Sequence, residues 1–281
     1  MEIIKTSITR PPRCLFYGEQ GMGKSTLAKE AGCIFIQTSD GLEGLGVDTF
    51  GMCETLEDVR KQLEFLLKEK HTYKAFCIDT LGGLERLLFN EICAELNLQY
   101  MTQASVKSYP LAGKRMHELM DLISRVNAER KMFALLIGHS AITKFEDPTT
   151  SSYDRYSLNM NDKLGSYLMQ EVDIVGFINQ KVLIKEESAG FKGDITKAKG
   201  LSRYVFFEKS PAFYAKDHDY GLPSELKLEK GKMWSAIYDC IKAKITEQRK
   251  GNLSATKEKH EAVKAAKAVK VEDELPASFN N

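Results

Sequence analysis

The segment Gly18-Glu19-Gln20-Gly21-Met22-Gly23-Lys24-Ser25 constrains this chain more than any other, because it satisfies every fixed position of the pattern G-x-x-x-x-G-K-[ST]. Its flanks agree with it. The apolar run Cys14–Tyr17 reads as a strand leading in, and the helix formers of Thr26–Glu30 read as a helix leading out. Glycines let the backbone wrap phosphates without a Cβ clash, and N–H groups at a helix start attract anions. Lys24 is expected on the β- and γ-phosphates, Ser25 on Mg²⁺ and Thr26 on the α-phosphate, so ATP with Mg²⁺ is the expected ligand pair.

The rest of the chain can be read around this unit. Short apolar runs at Cys33–Gln37, Ala75–Asp79, Phe133–Gly138 and Ile174–Asn179 read as further strands. Helical patterns occupy Lys24–Ala31, Leu56–Lys70, Leu84–Leu98 and Lys114–Arg130, and Leu56, Val59, Leu63, Leu66 and Leu67 mark one apolar face. Strands alternating with helices predict an α/β fold with a mainly parallel sheet over residues 1–180. Residues 181–248 change character. Lys181–Lys185, Arg203–Phe207 and Ala212–Ala215 read as antiparallel strands and Met233–Thr246 as a helix, together an extension that completes the core. Residues 249–281 are rich in Lys and Ala, poor in large apolar side chains, and end in an acidic tip at Glu272–Glu274, which predicts a mobile tail.

Composition excludes some classes. Forty Lys and Arg against 39 Asp and Glu leave a net charge of +1, so any nucleic-acid contact must come from local patches. No run of about 18 apolar residues suggests a membrane span, and Met1–Pro12 lacks the apolar stretch of a signal peptide. The six cysteines form no C-x-x-C pair, and several fall inside apolar elements; buried thiols in a reducing cytoplasm are expected, not a zinc site.

Two further strand ends carry candidate chemistry. Ala75-Phe76-Cys77-Ile78-Asp79 is an apolar strand closed by an acid, and Asp79 is expected to hold the magnesium shell from the strand neighbouring the phosphate loop. The other reading of Asp79 is a cap on the helix after Thr80. Phe133–Gly138 is followed by His139 and Ser140, placing His139 where a polar group can sense the γ-phosphate; a structural hydrogen bond is the alternative.

The order of the phosphate loop, then strand–Asp79–Thr80, then strand–Gly138–His139–Ser140, resembles the RecA-like ATPases. More narrowly it is similar to phage-encoded AAA-domain or Sak-type ATPases of the single-strand annealing group. Asp147–Asp173, Arg203–Phe207 and Lys216–Pro223 also look like that group, so the resemblance covers roughly residues 10–230. It implies a RecA-like P-loop core, ATP hydrolysis, single-stranded DNA as partner and a cytoplasmic location in a bacterial host. It also implies a homo-oligomer with nucleotide at or near the subunit interface, and it admits a single-strand binding protein as a further partner. RecA-like enzymes usually place a Glu after the second strand, where it polarises the attacking water. This chain departs from them with Ser39 and Asp40, and Glu43 follows a turn later, so Asp40 is the first candidate base and Glu43 the second.

Two polar segments, Tyr100–Arg115 and Ala141–Tyr167, read as loops of the kind that line the DNA axis in RecA-like oligomers. Lys107, Tyr109, Lys114 and Arg115 in the first, and Lys144, Phe145, Tyr153, Arg155, Tyr156 and Lys163 in the second, interleave cations for phosphates with rings for bases. Loops that pack their rings on their own domain are the alternative. Lys216, beside the turn-rich Asp217–Pro223, is the candidate cation reaching a neighbouring subunit's nucleotide, or else an ordinary surface partner of Asp217 or Asp219. A nucleotide switch or loader with little hydrolysis remains open, whereas a small-molecule kinase would need an arginine-rich lid that is not found.

Overall fold

The computed structural model describes residues 8–188 and 194–248, with side chains left aside over 182–201. The tail expected at 249–281 lies outside the described residues. Among the described residues ten strands form the sheet, in the order β10-β8-β7-β1-β5-β4-β2-β3, with β6 paired to β5 and β9 to β7. They are β1 (Arg13–Gly18), β2 (Cys33–Gln37), β3 (Thr49–Met52), β4 (Ala75–Asp79), β5 (Phe133–Phe145), β6 (Tyr153–Leu158), β7 (Ile174–Ser188), β8 (Asp194–Phe206), β9 (Lys216–Asp217) and β10 (Glu225–Leu228). From β7 through β1, β5, β4 and β2 to β3 every pairing is parallel, while β8 and β10 add antiparallel pairings at one edge.

Five α-helices join them: α1 (Lys24–Glu30), α2 (Leu56–Lys68), α3 (Leu81–Glu95), α4 (Ser105–Arg130) and α5 (Asp162–Glu171). A further helix, α6, covers residues 233–248. Strands β1 and β4 and the Ala134–Gly138 part of β5 are buried on both faces, as their continuous apolar runs require. One face packs on α2 to α5 through Leu63, Leu87, Leu119 and Leu168. The other packs on α1 and α6 through Leu27, Trp234, Ile237 and Ile241, so the C-terminal segment shares the core of the parallel strands. Strand β7 runs through residue 180 without a break. Asp173, at its foot, ties the N-terminal segment down by accepting from Arg10 at 2.6 and 2.9 Å and from the Arg13 backbone at 2.8 Å.

Several expectations need correction. Tyr100–Arg115 is no loop: a 3₁₀ turn at Met101–Ala104 leads into α4, which begins nine residues before Lys114 and carries Pro110 inside it. Pro110 argues locally against helix. Burial of Ser108, Ala112 and Met116 on one face overrides it, and the Ser108 hydroxyl donates to Met101 O at 2.7 Å. Ala141–Tyr167 is likewise ordered, as the β5–β6 hairpin followed by α5, which Asn161 caps at the Lys163 and Leu164 amides. The expected strand Ala212–Ala215 is replaced by bridges at Phe213 and by the short β9. Here the backbone is held by tertiary contacts to Tyr17, whose hydroxyl donates to Tyr214 O at 2.7 Å. Cys93 and Cys240 are half-buried, while Cys14, Cys33, Cys53 and Cys77 are buried.

Candidate nucleotide site

The site forms at the carboxyl ends of the parallel strands, where the strand order reverses about β1. Gly18 closes β1 so tightly against β7 that a Cβ there would lie 2.2 Å from Ile178 O. Gly23 caps α1 with φ +87°, the left-handed region that favours glycine. The loop between them brings Lys24 and Ser25 into the first turn of α1.

Lys24 is 5% exposed, and its Nζ donates to Gly18 O at 2.9 Å and Glu19 O at 2.7 Å. Burial pulls its pKa down to about 8, against the opposing charges of Asp79 and Glu19. Asp79 is 4% exposed and accepts from Ser25 Oγ at 2.6 Å. Burial raises its pKa, while the Ser25 hydroxyl, Lys24 and His139 act the other way. The helix cap is Thr80, whose Oγ1 accepts from the Gly83 amide at 3.3 Å, so Asp79 is left for Ser25. The strand next to β1 is β5, not β4, which corrects the expectation of a neighbouring strand: Asp79 reaches Ser25 past β5. His139, half-buried at the turn from the parallel part of β5, is held toward its neutral form by burial and then by the Lys24 charge.

These groups line one cavity of about 560 Å³, with Gln20, Gly21, Gly23, Thr26, Asp40 and Thr80. Met22 instead points into the core, and Glu19 and Gly18 contribute their carbonyls to Lys24. Asp40 sits exposed at the rim; Glu43 is exposed and does not line the cavity. Arg203, Lys230 and Met233 also line it, and sequence reading missed all three. Their only signal was indirect, in that Arg203 opens an expected strand and Met233 an expected helix.

Lys216 lies elsewhere. It pairs with Val175 near the foot of β7, whereas Gly18 pairs with Ile178, three residues or about 10 Å further along the sheet. Its Nζ donates to Gln170 O at 2.8 Å, and it pairs with neither Asp217 nor Asp219 among the described residues.

The candidate DNA residues divide. Arg115 is clamped by Glu118, Glu95 and Glu91 at 3.2, 3.3 and 3.6 Å, joining α3 to α4. Tyr109 packs edge-on against Phe89, and only Lys107 and Lys114 of that group stand exposed. In the hairpin the Arg155 guanidinium lies over the Phe145 ring at 4.9 Å, and the Phe145 and Tyr153 rings meet at a tilt with centroids 5.5 Å apart. Lys144, Phe145, Arg155 and Tyr156 line a cavity of about 440 Å³ between hairpin and α5. Tyr156 also leans on Phe177 in the core, and Lys163 is exposed on α5.

The donor set suits a nucleotide with a divalent cation. A buried lysine whose charge is strained by burial gains from an anion, and a hydroxyl–carboxylate pair 2.6 Å apart offers hard oxygen ligands. Fold and site together define an α/β P-loop nucleotide-binding protein. The chain belongs to the AAA domain family, whose profile matches residues 10–218, and such domains are generally ATPases. It is also similar to the crystal structure of the RadB recombinase, with a TM-score of 0.42 and 11% identity over 79% of this chain and 88% of that one. Among curated proteins no sequence matches the chain. No helix among the described residues is long and apolar enough to cross a membrane.

Proposed function

We propose that this protein is an ATP-hydrolysing recombination protein of the phage Sak-type group that binds single-stranded DNA and promotes annealing or strand pairing. One observation carries the reading: β5 runs unbroken from the nucleotide cavity, at His139, into the hairpin that bears Lys144, Phe145 and, through β6, Tyr153 and Arg155. A single strand therefore links phosphate-sensing and base-stacking groups, so that a shift at His139 moves the DNA surface.

In this reading Lys24 neutralises the β- and γ-phosphates, the loop amides and Thr26 hold the remaining oxygens, and Asp40 orients the attacking water. Ser25 and Asp79 would hold Mg²⁺, which when bound withdraws charge from the phosphates. His139 in its neutral form reports the γ-phosphate through a hydrogen bond. Lys107, Lys114 and Lys163 add phosphate contacts, and a homo-oligomer brings Lys216 to a neighbour's nucleotide in the cytoplasm of a bacterial host. ATPase assays with and without single-stranded DNA test it. DNA-stimulated turnover that Lys24→Ala abolishes is the expected result. Tight ATP binding without turnover favours instead a switch or loader for a replication complex, a reading favoured by the exposed position of Asp40 at the rim.

A further inference from the structure

The cavity has two walls. Ser25, Asp79 and His139 stand on the β5–β4 side, where the cation and the bond to be broken belong. The other wall is built by the antiparallel edge. Gly18, the last residue of β1, pairs with Ile178. Two residues further along β7, Gln180 pairs with Arg203, which in turn pairs with Leu228 of β10. Arg203 thus lies one side-chain repeat above the end of β1, at the level of the phosphate loop. Side chains alternate along a strand, so Arg203 projects from the same face as Val205, which packs with Leu27 and Met233 on the α1 side. Its Nη1 comes within 3.2 Å of the position a Cβ on Gly23 would take, and the Met233 sulfur within 3.9 Å.

The segment that completes this wall is anchored to α1 itself. The Glu30 carboxylate, at the end of α1, accepts from the backbone amides of Gly231, Met233 and Trp234 at 2.7, 2.6 and 3.2 Å. Lys230 and Met233 therefore sit in a segment tethered to the helix that carries Lys24 and Ser25.

The geometry points to Arg203 as a second cation of the nucleotide site, supplied by the same chain, that holds the diphosphate portion common to ATP and ADP. The inference rests on the proposed nucleotide reading. Arg203 faces Gly23, the residue just before Lys24, from the wall opposite Asp79 and His139, so it retains the nucleotide and takes no part in sensing the γ-phosphate. A guanidinium is suited to this, because it stays charged when partly desolvated and donates from a rigid fork.

The test measures ATP and ADP affinity, with KM and kcat, for the full chain and for Arg203→Gln, Arg203→Lys and Lys24→Ala, with thermal melts as a check of folding. Arg203→Gln is expected to weaken ATP and ADP alike by about 10- to 100-fold, raise KM in step and leave kcat within about threefold. Arg203→Lys is expected to recover part of the affinity with an unchanged melt. Loss for ATP alone would move Arg203 to the γ-phosphate and overturn the assignment, as would unchanged affinity for both nucleotides. Wild-type protein that binds neither nucleotide would instead remove the proposed nucleotide reading, and this inference with it.

Discussion

The Ser25 hydroxyl donates to the Asp79 carboxylate at 2.6 Å, although the two are 54 positions apart in the chain and β5 stands between β1 and β4 in the sheet. The contact sets hard oxygen ligands beside the phosphate loop and keeps a carboxylate almost wholly out of water. Burial raises the Asp79 pKa. A raised pKa favours the folded state at pH values below the ordinary carboxylate range, and that advantage is lost as pH rises through the folded value. Above that value the ionised Asp79 is therefore a burden on the fold. Asp79→Asn is expected to raise the melting temperature of nucleotide-free protein, by about 2–4 °C for each kcal/mol recovered. The same variant is expected to keep most ATP affinity and lose magnesium-dependent turnover. A lower melting temperature at pH 7 would show that the hydrogen bond to Ser25 outweighs the burial.

Lys24 offers a second pH signature. With its pKa near 8 in the free protein, it loses its proton as pH rises past that value, while bound phosphates favour the charged form. ATP affinity is expected to fall by up to about tenfold per pH unit above 8. Titration calorimetry from pH 7 to 9.5 checks this, and flat affinity across the range would show that Lys24 stays charged. Lys24→Ala is expected to abolish ATP binding or hydrolysis with the fold intact; hydrolysis at the wild-type rate would remove the central assignment.

Asp40 lines the cavity and Glu43 does not. Asp40→Asn is expected to lower turnover on the order of 10²- to 10⁴-fold with ATP affinity nearly unchanged. Steady-state kinetics beside Glu43→Gln decides between the two. Wild-type turnover in Asp40→Asn together with loss in Glu43→Gln would transfer the role.

The hairpin and α4 should separate under mutation. Phe145→Ala and Arg155→Ala are expected to weaken single-stranded DNA binding by about 1–3 kcal/mol each, read by fluorescence anisotropy, with little change in melting temperature. Arg115→Ala leaves three glutamates around an empty place between α3 and α4, and is expected to lower the melting temperature with little effect on DNA. Equal DNA loss in all three would restore α4 to the DNA surface.

Lys216 stands too far along the sheet to serve its own phosphate loop, so any role in hydrolysis must be toward a neighbour. Lys24→Ala and Lys216→Ala are each expected to be inactive alone, and a co-assembled mixture to regain part of the activity at interfaces that keep both lysines. Full activity of Lys216→Ala by itself would end that role.

What could be read from the sequence was local. The phosphate loop is specified by glycine spacing and a lysine, and β2 and β4 by apolar runs with sharp polar ends; both strands begin and end where the sequence predicts. The face of α2 follows from helical periodicity, since Leu56, Val59, Leu63, Leu66 and Leu67 are all buried. What required the folded chain was relational. Strand periodicity says which residues share a face but not which strand lies beside which, so β5 between β1 and β4 could not be read, nor could Arg203 and Met233 meeting Gly23. Pro110 and the polar run Ala141–Tyr167 argue locally for loop. Burial of Ser108 and Ala112 made the one a helix, while pairing with β5 and burial of Leu164 made the other a strand followed by a helix, because packing outweighed local propensity at both places.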